Sequence, residues 1–289
     1  MKLLSTTLHY ITRTNEDVGL FTEKIICDIL KIPFNSSREY ITQKNYPLKL
    51  KKDIESLKEH ILQLDISEHL GNKNKYYDFV TKNGKTVSLK TNINGGKICP
   101  QIVGQVSLQK FNERTKNNLQ TTKDYKALVL SDTTQIVNMY LTHLFCCEHL
   151  LSFKFDQGKL YHFHKTGKMQ VILNDSHNII FRPSKDLTTW NNSMSLSIMI
   201  KGEYRQLCEF QVHGSRNCIQ CRFNLDTIIS LVNNDMIKNI TLESFDLKYK
   251  YNIKVLKTKF DEMEVEFDGI NEHSMEIEGL QITPKKRKL

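Results

Sequence analysis

Asp78 and Lys90 are the two residues whose types and spacing best suit chemistry. They lie in the stretch Tyr77-Asp78-Phe79-Val80-Thr81-Lys82-Asn83-Gly84-Lys85-Thr86-Val87-Ser88-Leu89-Lys90. An acid opens a short apolar run, Asn83-Gly84 signals a tight turn, and a second run carries the lysine just after Ser88 and Leu89. A hairpin of this kind brings Asp78 and Lys90 together at one end of a sheet. A carboxylate so placed can hold a divalent cation, and an ammonium can orient a water that attacks a phosphodiester. The same pattern also fits an ordinary polar hairpin with a solvated lysine.

The surrounding elements must position this pair. Val18, Phe21, Ile25, Ile26, Ile29 and Leu30 recur at helical spacing over 15–31, with Asn15 suited to the cap, Glu16 and Asp17 to the positive end, and Pro33 barring extension. Leu50, Ile54, Leu57, Ile61 and Leu64 predict a charged helix over 48–64. The hairpin spans 76–91 and is followed by the Gly-rich loop Asn94-Gly95-Gly96. Residues 101–120 read as a polar, Gln-rich helix, 126–131 as a buried strand and 132–151 as a helix carrying Ile136, Met139, Tyr140, Leu144 and Phe145. From about 153 the chain reads as strands, at 160–164, 169–173, 178–181, 195–200 and 206–213, with a helix near 224–233. The fold class is α/β in the broad sense (α+β): a mixed central sheet flanked by helices, with a β-rich C-terminal half. The expected division is a core over 1–152, a β-rich region over 153–259 and a tail over 260–289, acidic and then basic.

With 289 residues the chain can bury a large core, and 41 basic against 32 acidic residues give a net charge of +9 that favours a polyanionic partner such as nucleic acid. Seven cysteines, with no secretory pattern over Met1–Tyr10, fit a reducing compartment without a disulfide framework. No apolar run is long enough to cross a membrane. A cytoplasmic protein is expected, and the terminal Pro284-Lys285-Lys286-Arg287-Lys288 resembles a nuclear-import signal, which opens a nuclear alternative.

A leading helix with an inward glutamate, a strand opening with Asp78 and a following strand Ser88-Leu89-Lys90-Thr91 resemble the PD-(D/E)xK nuclease superfamily, which includes type II restriction endonucleases and MutH-like nickases. The resemblance covers residues 15–150. It implies a restriction-endonuclease-like core in which Asp78 is the principal Mg²⁺ ligand, Glu23 the helix acid and second ligand, the Leu89 carbonyl a further ligand, and Lys90 the residue that orients water and stabilises charge. Ser88 stands where an acid is expected, and a hydroxyl is a poorer ligand for a hard cation. Glu23 is then the first candidate to compensate and Glu113 the second. Tyr77 replaces a frequent proline. The resemblance implies Mg²⁺-dependent, sequence-specific cleavage of double-stranded DNA by a homodimer, beside a cognate DNA methyltransferase. A MutH-like nickase or a catalytically inactive DNA-binding protein are the alternatives, the latter motivated by Ser88.

Candidate DNA contacts lie downstream. Lys97, after the Gly-rich loop, suits a phosphate. Gln101, Gln105 and Gln109 recur every fourth residue, which on a helix puts them on one face, and Gln reads adenine edges. The hairpin pattern over 209–223 groups Gln211, His213, Arg216, Asn217 and Arg222, side chains able to make bidentate base contacts. A solvated polar face is the rival reading for both groups. Cys218-x-x-Cys221 invites a zinc reading with Cys146, Cys147, His149, His162, His164 or His213. On a strand, however, its two thiols point to opposite faces, which argues against it. Cys146 and Cys147 read as core thiols.

Overall fold

The Asp78–Lys90 hairpin belongs to a six-stranded mixed sheet, seen in a computed structural model that describes residues 15–36, 48–71, 76–93, 95–171, 173, 180–183, 190, 193–213 and 218–249. All of these lie within 1–253, which forms one compact unit. Arg216, Asn217 and the tail with its basic run lie outside the described residues.

Among the described residues three helices lead: α1 (Asn15–Leu30), α2 (Leu48–Glu55) and α3 (Lys58–Gln63). The strands β1 (Ile66–His69), β2 (Phe79–Thr81), β3 (Thr86–Asn92), β4 (Lys97–Ile98) and β5 (Gln105–Ser107) follow, and then helices α4 (Leu108–Thr115), α5 (Thr122–Ser131) and α6 (Thr133–Leu144). The chain continues through β6 (His149–Lys154), β7 (Lys159–Val171), β8 (Ile180–Pro183), β9 (Ser193–Ile200), β10 (Glu203–His213), β11 (Cys218–Asn224), α7 (Leu225–Asn233) and β12 (Ile237–Asp246).

The first sheet runs β1-β2-β3-β6-β7-β12, antiparallel throughout except for the parallel pair β3–β6. A parallel pair needs a long crossover. Here the crossover leaves β3, contributes β4 and β5 to a second sheet, forms α4–α6 and returns as β6. The second sheet runs β4-β11-β10-β9-β8, with β5 also beside β11. The first sheet draws strands from both sides of residue 152.

Neighbouring residues of a strand face opposite ways, so the first sheet separates two apolar layers. On the Leu89–Leu151 side lie α1–α3, with Phe21, Ile25, Leu50, Ile54 and Ile61 buried. Helix α1 approaches β3 closely at Gly19, where a Cβ would stand 3.3 Å from Thr91 Oγ1. On the other side Leu150, Phe163 and Ile237 join one core with Tyr125, Tyr140 and Leu144 from the helices and Phe210, Ile219 and Phe223 from the second sheet. Helix α7 packs against both β12 and β10–β11, so it bridges the sheets.

The α+β class, the mixed sheet flanked by helices and the strand-rich C-terminal half are as expected, an arrangement consistent with a restriction-endonuclease-like core. Several elements differ. Residues 126–131 belong to helix α5, not a strand, because Thr121 and Asp124 form a reciprocal cap that starts a helix. The apolar run there is too short for periodicity to decide. The helix expected over 48–64 breaks at Ser56-Leu57, where the Ser56 hydroxyl donates to Asp53 O at 2.6 Å. The Gln-rich helix begins only at Leu108: Gly104 turns back on Pro100 so tightly that a Cβ would meet Pro100 O at 2.3 Å, and Ser107 caps α4 by accepting from Lys110 N. Gln101, Gln105 and Gln109 therefore occupy a turn, a strand and a helix rather than one helical face. The helix expected to reach 151 ends at Leu144, and β6 takes over from His149.

Candidate active site

Asp78 immediately precedes β2 and is clamped from both sides. Its N–H donates to Val87 O at 2.9 Å and its C=O accepts from Leu70 N at 2.8 Å. Its Oδ2 accepts the Leu89 N–H at 2.6 Å. A strand residue turns its N–H and C=O to the same edge, so the Leu89 carbonyl also faces the Asp78 side, beyond the pair Phe79↔Val87. From the next position Lys90 donates its ammonium to Gln101 Oε1 at 2.6 Å.

Glu23 arrives from the middle of α1, only 8 % exposed. Its Oε2 lies 2.9 Å from His69 Nε2, at the end of β1. The same ring accepts the Asn35 N–H on Nδ1 at 3.0 Å, so its proton sits on Nε2 and points at Glu23. Phe34 stacks on that ring at 4.9 Å and the Asn35 amide donates to His69 O at 2.7 Å, locking it in place.

Burial dominates the electrostatics. Asp78 retains some exposed surface, yet it is set deep enough among protein atoms that burial raises its carboxyl above the usual range, against the pull of the Lys90 charge and the Leu89 N–H. Burial likewise raises Glu23. The His69 hydrogen bond opposes this, and the Asp78 charge adds to it. Two acids set among protein atoms, the charge of Asp78 raising Glu23, are a donor set that suits a divalent cation.

Ser88 helps to hold the Asp78 charge, but its buried hydroxyl has no partner in hydrogen-bonding geometry among the described residues. The same is true of Asn92 Nδ2, Ser152 Oγ and Gln101 Nε2. Ser88, Lys90 and Asn92 alternate along one face of β3, Ser152 pairs with Lys90 across β6, and Gln101 touches Lys90. Buried polar atoms are normally satisfied, so an unpaired group gathered around one lysine marks a surface built to meet something polar.

Beside this lies the outer face of the second sheet. Phe210, Val212, Ile219, Cys221 and Phe223 point into the core, and the alternate residues Glu209, Gln211, Gln220 and Arg222 stay partly open. Glu209 anchors them: it accepts from Lys97 at 2.6 Å, Arg222 at 3.0 Å and Gln211 at 3.0 Å. Burial would raise Glu209, but the hydrogen bonds from Lys97 and Gln211 and the charges of Lys97 and Arg222 outweigh it and hold the carboxyl low. Gln220 donates to Gln105 Oε1 at 3.1 Å, and His213 is exposed at the end of β10. Both Lys90 and Arg222 act on the Cys99 thiol, so this face adjoins the Lys90 cluster.

The structure thus brings Asp78, Lys90, Glu23, Ser88 and Leu89 together, with Gln101 attached to Lys90. Lys97, Gln105, Gln211 and Arg222 share the neighbouring sheet face. Glu113 is exposed on α4, where it accepts from Gln109, while Glu23 is the acid that reaches Asp78. Sequence reasoning missed His69, Asn35, Glu209 and Gln220. His69 meets Glu23 on one side and Asn35 on the other only through tertiary packing. Glu209 and Gln220 alternate in register with Gln211 and Arg222, a strand signal that was available. Cys218 and Cys221 fall on opposite sides of β11, the latter in the core.

The class defined by these features is an α+β protein with a mixed sheet carrying an acid–acid–lysine cluster. In sequence the chain is 28% identical over 218 residues to the type II restriction enzyme CviAII of Paramecium bursaria Chlorella virus 1, a match covering 75% of this chain and 60% of that protein. No family model matches the chain, and no solved structure matches it. No helix of the described residues is long and apolar enough to cross a membrane.

Proposed function

We propose that this chain is a Mg²⁺-dependent, sequence-specific DNA endonuclease of the type II restriction class, with a PD-(D/E)xK-type site. The observation that carries the reading is the convergence of Glu23, Asp78 and Lys90 beside buried polar groups that lack partners. The similarity to a viral type II restriction enzyme supports it. Asp78, Glu23 and the Leu89 carbonyl would hold the ion, which when bound supplies positive charge to the phosphate and acidifies water. The fit is chemical: hard oxygen donors, two of them carboxylates that repel each other without a cation.

The protein's own groups do the rest. Lys90 orients the attacking water and neutralises charge building on the phosphate. Gln101 Oε1 fixes the direction of that ammonium, and the Gln101 amide N–H is left to meet phosphate oxygen. His69 holds Glu23. Gln105, Gln211, Gln220 and Arg222 form the base-reading face, with Lys97 at its edge toward the phosphates. His213, exposed at the end of β10, extends it, and Arg216 and Asn217 stand as further candidates from the sequence alone. One site cuts one strand, so cutting both calls for a homodimer or two visits. Host DNA would need a methyltransferase of the same specificity.

Ser88 favours a second reading, a DNA-binding protein that does not cut, because a hydroxyl replaces a metal-binding acid. The test is to incubate the purified 289-residue chain with unmethylated DNA and Mg²⁺, with an EDTA control. Discrete fragments only with Mg²⁺ support the endonuclease. Nicked circles without linear product favour the nickase, and retained binding without any cleavage favours the binder.

A further inference from the structure

The first sheet carries a second cluster on its other side. Register places Leu89, Leu151, His162 and Glu243 in one row across β3, β6, β7 and β12, while Lys90, Ser152 and Tyr161 form the adjacent row. Adjacent rows face opposite ways, so His162 and Glu243 point away from Lys90, toward α3. His60 on α3 meets them there.

The ligand atoms of His60, His162 and Glu243 all lie within 4.8 Å of one another. His60 Nε2 and His162 Nδ1 are buried and have no hydrogen-bond partner among the described residues. His162 is only 6 % exposed. Glu243 is 3.7 Å from its Nδ1, beyond hydrogen-bond range, and this carboxylate is 65 % exposed. The rings are held: His60 lies 4.0 Å from the Phe245 ring and 5.0 Å from that of His162, and His149 stacks on His164 at 4.5 Å.

His162 is also prepared from behind. Its Nε2 is 3.0 Å from His149 Nδ1. With the proton on Nε2 donated to His149, the lone pair on Nδ1 is free and aimed at His60 and Glu243. Metal-binding histidines are oriented by such a bond from their other nitrogen. We propose that His60 Nε2, His162 Nδ1 and the Glu243 carboxylate form a transition-metal site of the zinc class that fastens α3 to β7 and β12. Two imidazoles and a carboxylate are a donor set for Zn²⁺ rather than Mg²⁺, with a fourth position left to water on the exposed Glu243 side. Burial keeps both rings neutral, His162 down to about 3 and His60 in the same direction, so protons do not compete at neutral pH.

Cobalt(II) is the probe, titrated into the chelator-treated 289-residue chain in excess Mg²⁺. One equivalent is expected to bind, with visible bands of a low-coordinate ion, no thiolate charge-transfer band in the near ultraviolet, and displacement by Zn²⁺. His60→Phe and Glu243→Gln should each weaken binding about tenfold or more, and Asp78→Asn should leave it unchanged. Failure to bind one equivalent overturns the site. So does undiminished binding in both ligand variants, a thiolate band, or loss of binding in Asp78→Asn, which would move the ion to the other cluster. If His60→Phe does not fold, the exposed Glu243→Gln decides. DNA cleavage plays no part in these readouts, so this site and the endonuclease reading stand or fall separately.

Discussion

Asp78 is tied to the strand that carries Lys90 by two hydrogen bonds, its own N–H donating to Val87 O at 2.9 Å and its Oδ2 accepting the Leu89 N–H at 2.6 Å. The acid and the lysine therefore keep their spacing without relying on side-chain packing, and Gln101 fixes the lysine tip from the other side. A site held this way has rigid parts whose removal gives separable effects.

Lys90→Ala should lower DNA cleavage by about 10²-fold or more while DNA binding persists, since it removes the charge proposed to act mainly as the phosphate reacts. Gln101→Leu leaves the ammonium in place but unaimed, and a smaller loss of about tenfold is expected. Single-turnover rates with pre-bound DNA measure both. Equal losses in the two variants would argue against a positioning role for Gln101.

Asp78 and Glu23 both titrate above their unfolded values, so between those values and the folded ones the native state binds more protons than the unfolded chain. Stability of the metal-free protein should accordingly fall as pH rises through that window. Asp78→Asn removes the repulsion and should raise the metal-free midpoint at neutral pH, while abolishing the rise in midpoint expected of wild type with Mg²⁺. Denaturation with and without Mg²⁺ checks this, and a destabilised Asp78→Asn would contradict it.

At the histidine cluster the sign reverses. His162 is lowered to about 3 and His149 to about 4, each chiefly by burial, with His60, His164 and Lys85 opposing charge there and Glu148 and Glu243 nearby. A lowered value means stability present above pH 6.5 and lost as pH falls toward the folded values. A loss on the order of a few kcal/mol is expected between pH 7 and pH 4. His162→Gln should flatten that slope in urea denaturation.

On the outer face of the second sheet, Gln211→Ala and Arg222→Ala should each cost about 1–3 kcal/mol in binding to the preferred DNA sequence and little on random DNA. Lys97→Ala should weaken both alike and reduce the salt dependence. Competition binding on the two DNA types tells the groups apart.

Lys154, 4 % exposed, donates to both oxygens of Asp226 at 2.8 Å and joins the end of β6 to the first turn of α7. Asp226→Ala strands that ammonium. Because the carboxylate is 57 % exposed, the cost should be about 1–3 kcal/mol rather than that of a fully buried pair. Thermal or urea unfolding reads it.

The sequence made the local signals legible and the distant ones not. Asn83-Gly84 and the flanking apolar runs announced the hairpin, and the periodicity from Val18 to Leu30 announced α1 with Glu23 on it. Leu128-Val129-Leu130 misled because so short an apolar run fits either element, and only the Thr121–Asp124 cap decides. Gln101, Gln105 and Gln109 misled because spacing has meaning only inside an unbroken helix, and Gly104 breaks this one. His69 reaches Glu23 from far along the chain, and His60, His162 and Glu243 meet only once β12 pairs with β7. No spacing rule encodes such meetings.

Between Lys90 on β3 and Lys97 on β4 the chain makes a short passage from the first sheet to the second. That tether is too short to absorb a large relative movement. The residues proposed to read DNA and those proposed to cut it are therefore geared together: a shift of β4 and β11 on a wrong sequence pulls directly on the strand that aims the lysine. It also limits how target preference can drift in evolution. A new reading face cannot be exchanged as a cassette, and must be reached by substitutions that leave the path from Lys90 to Lys97 undisturbed.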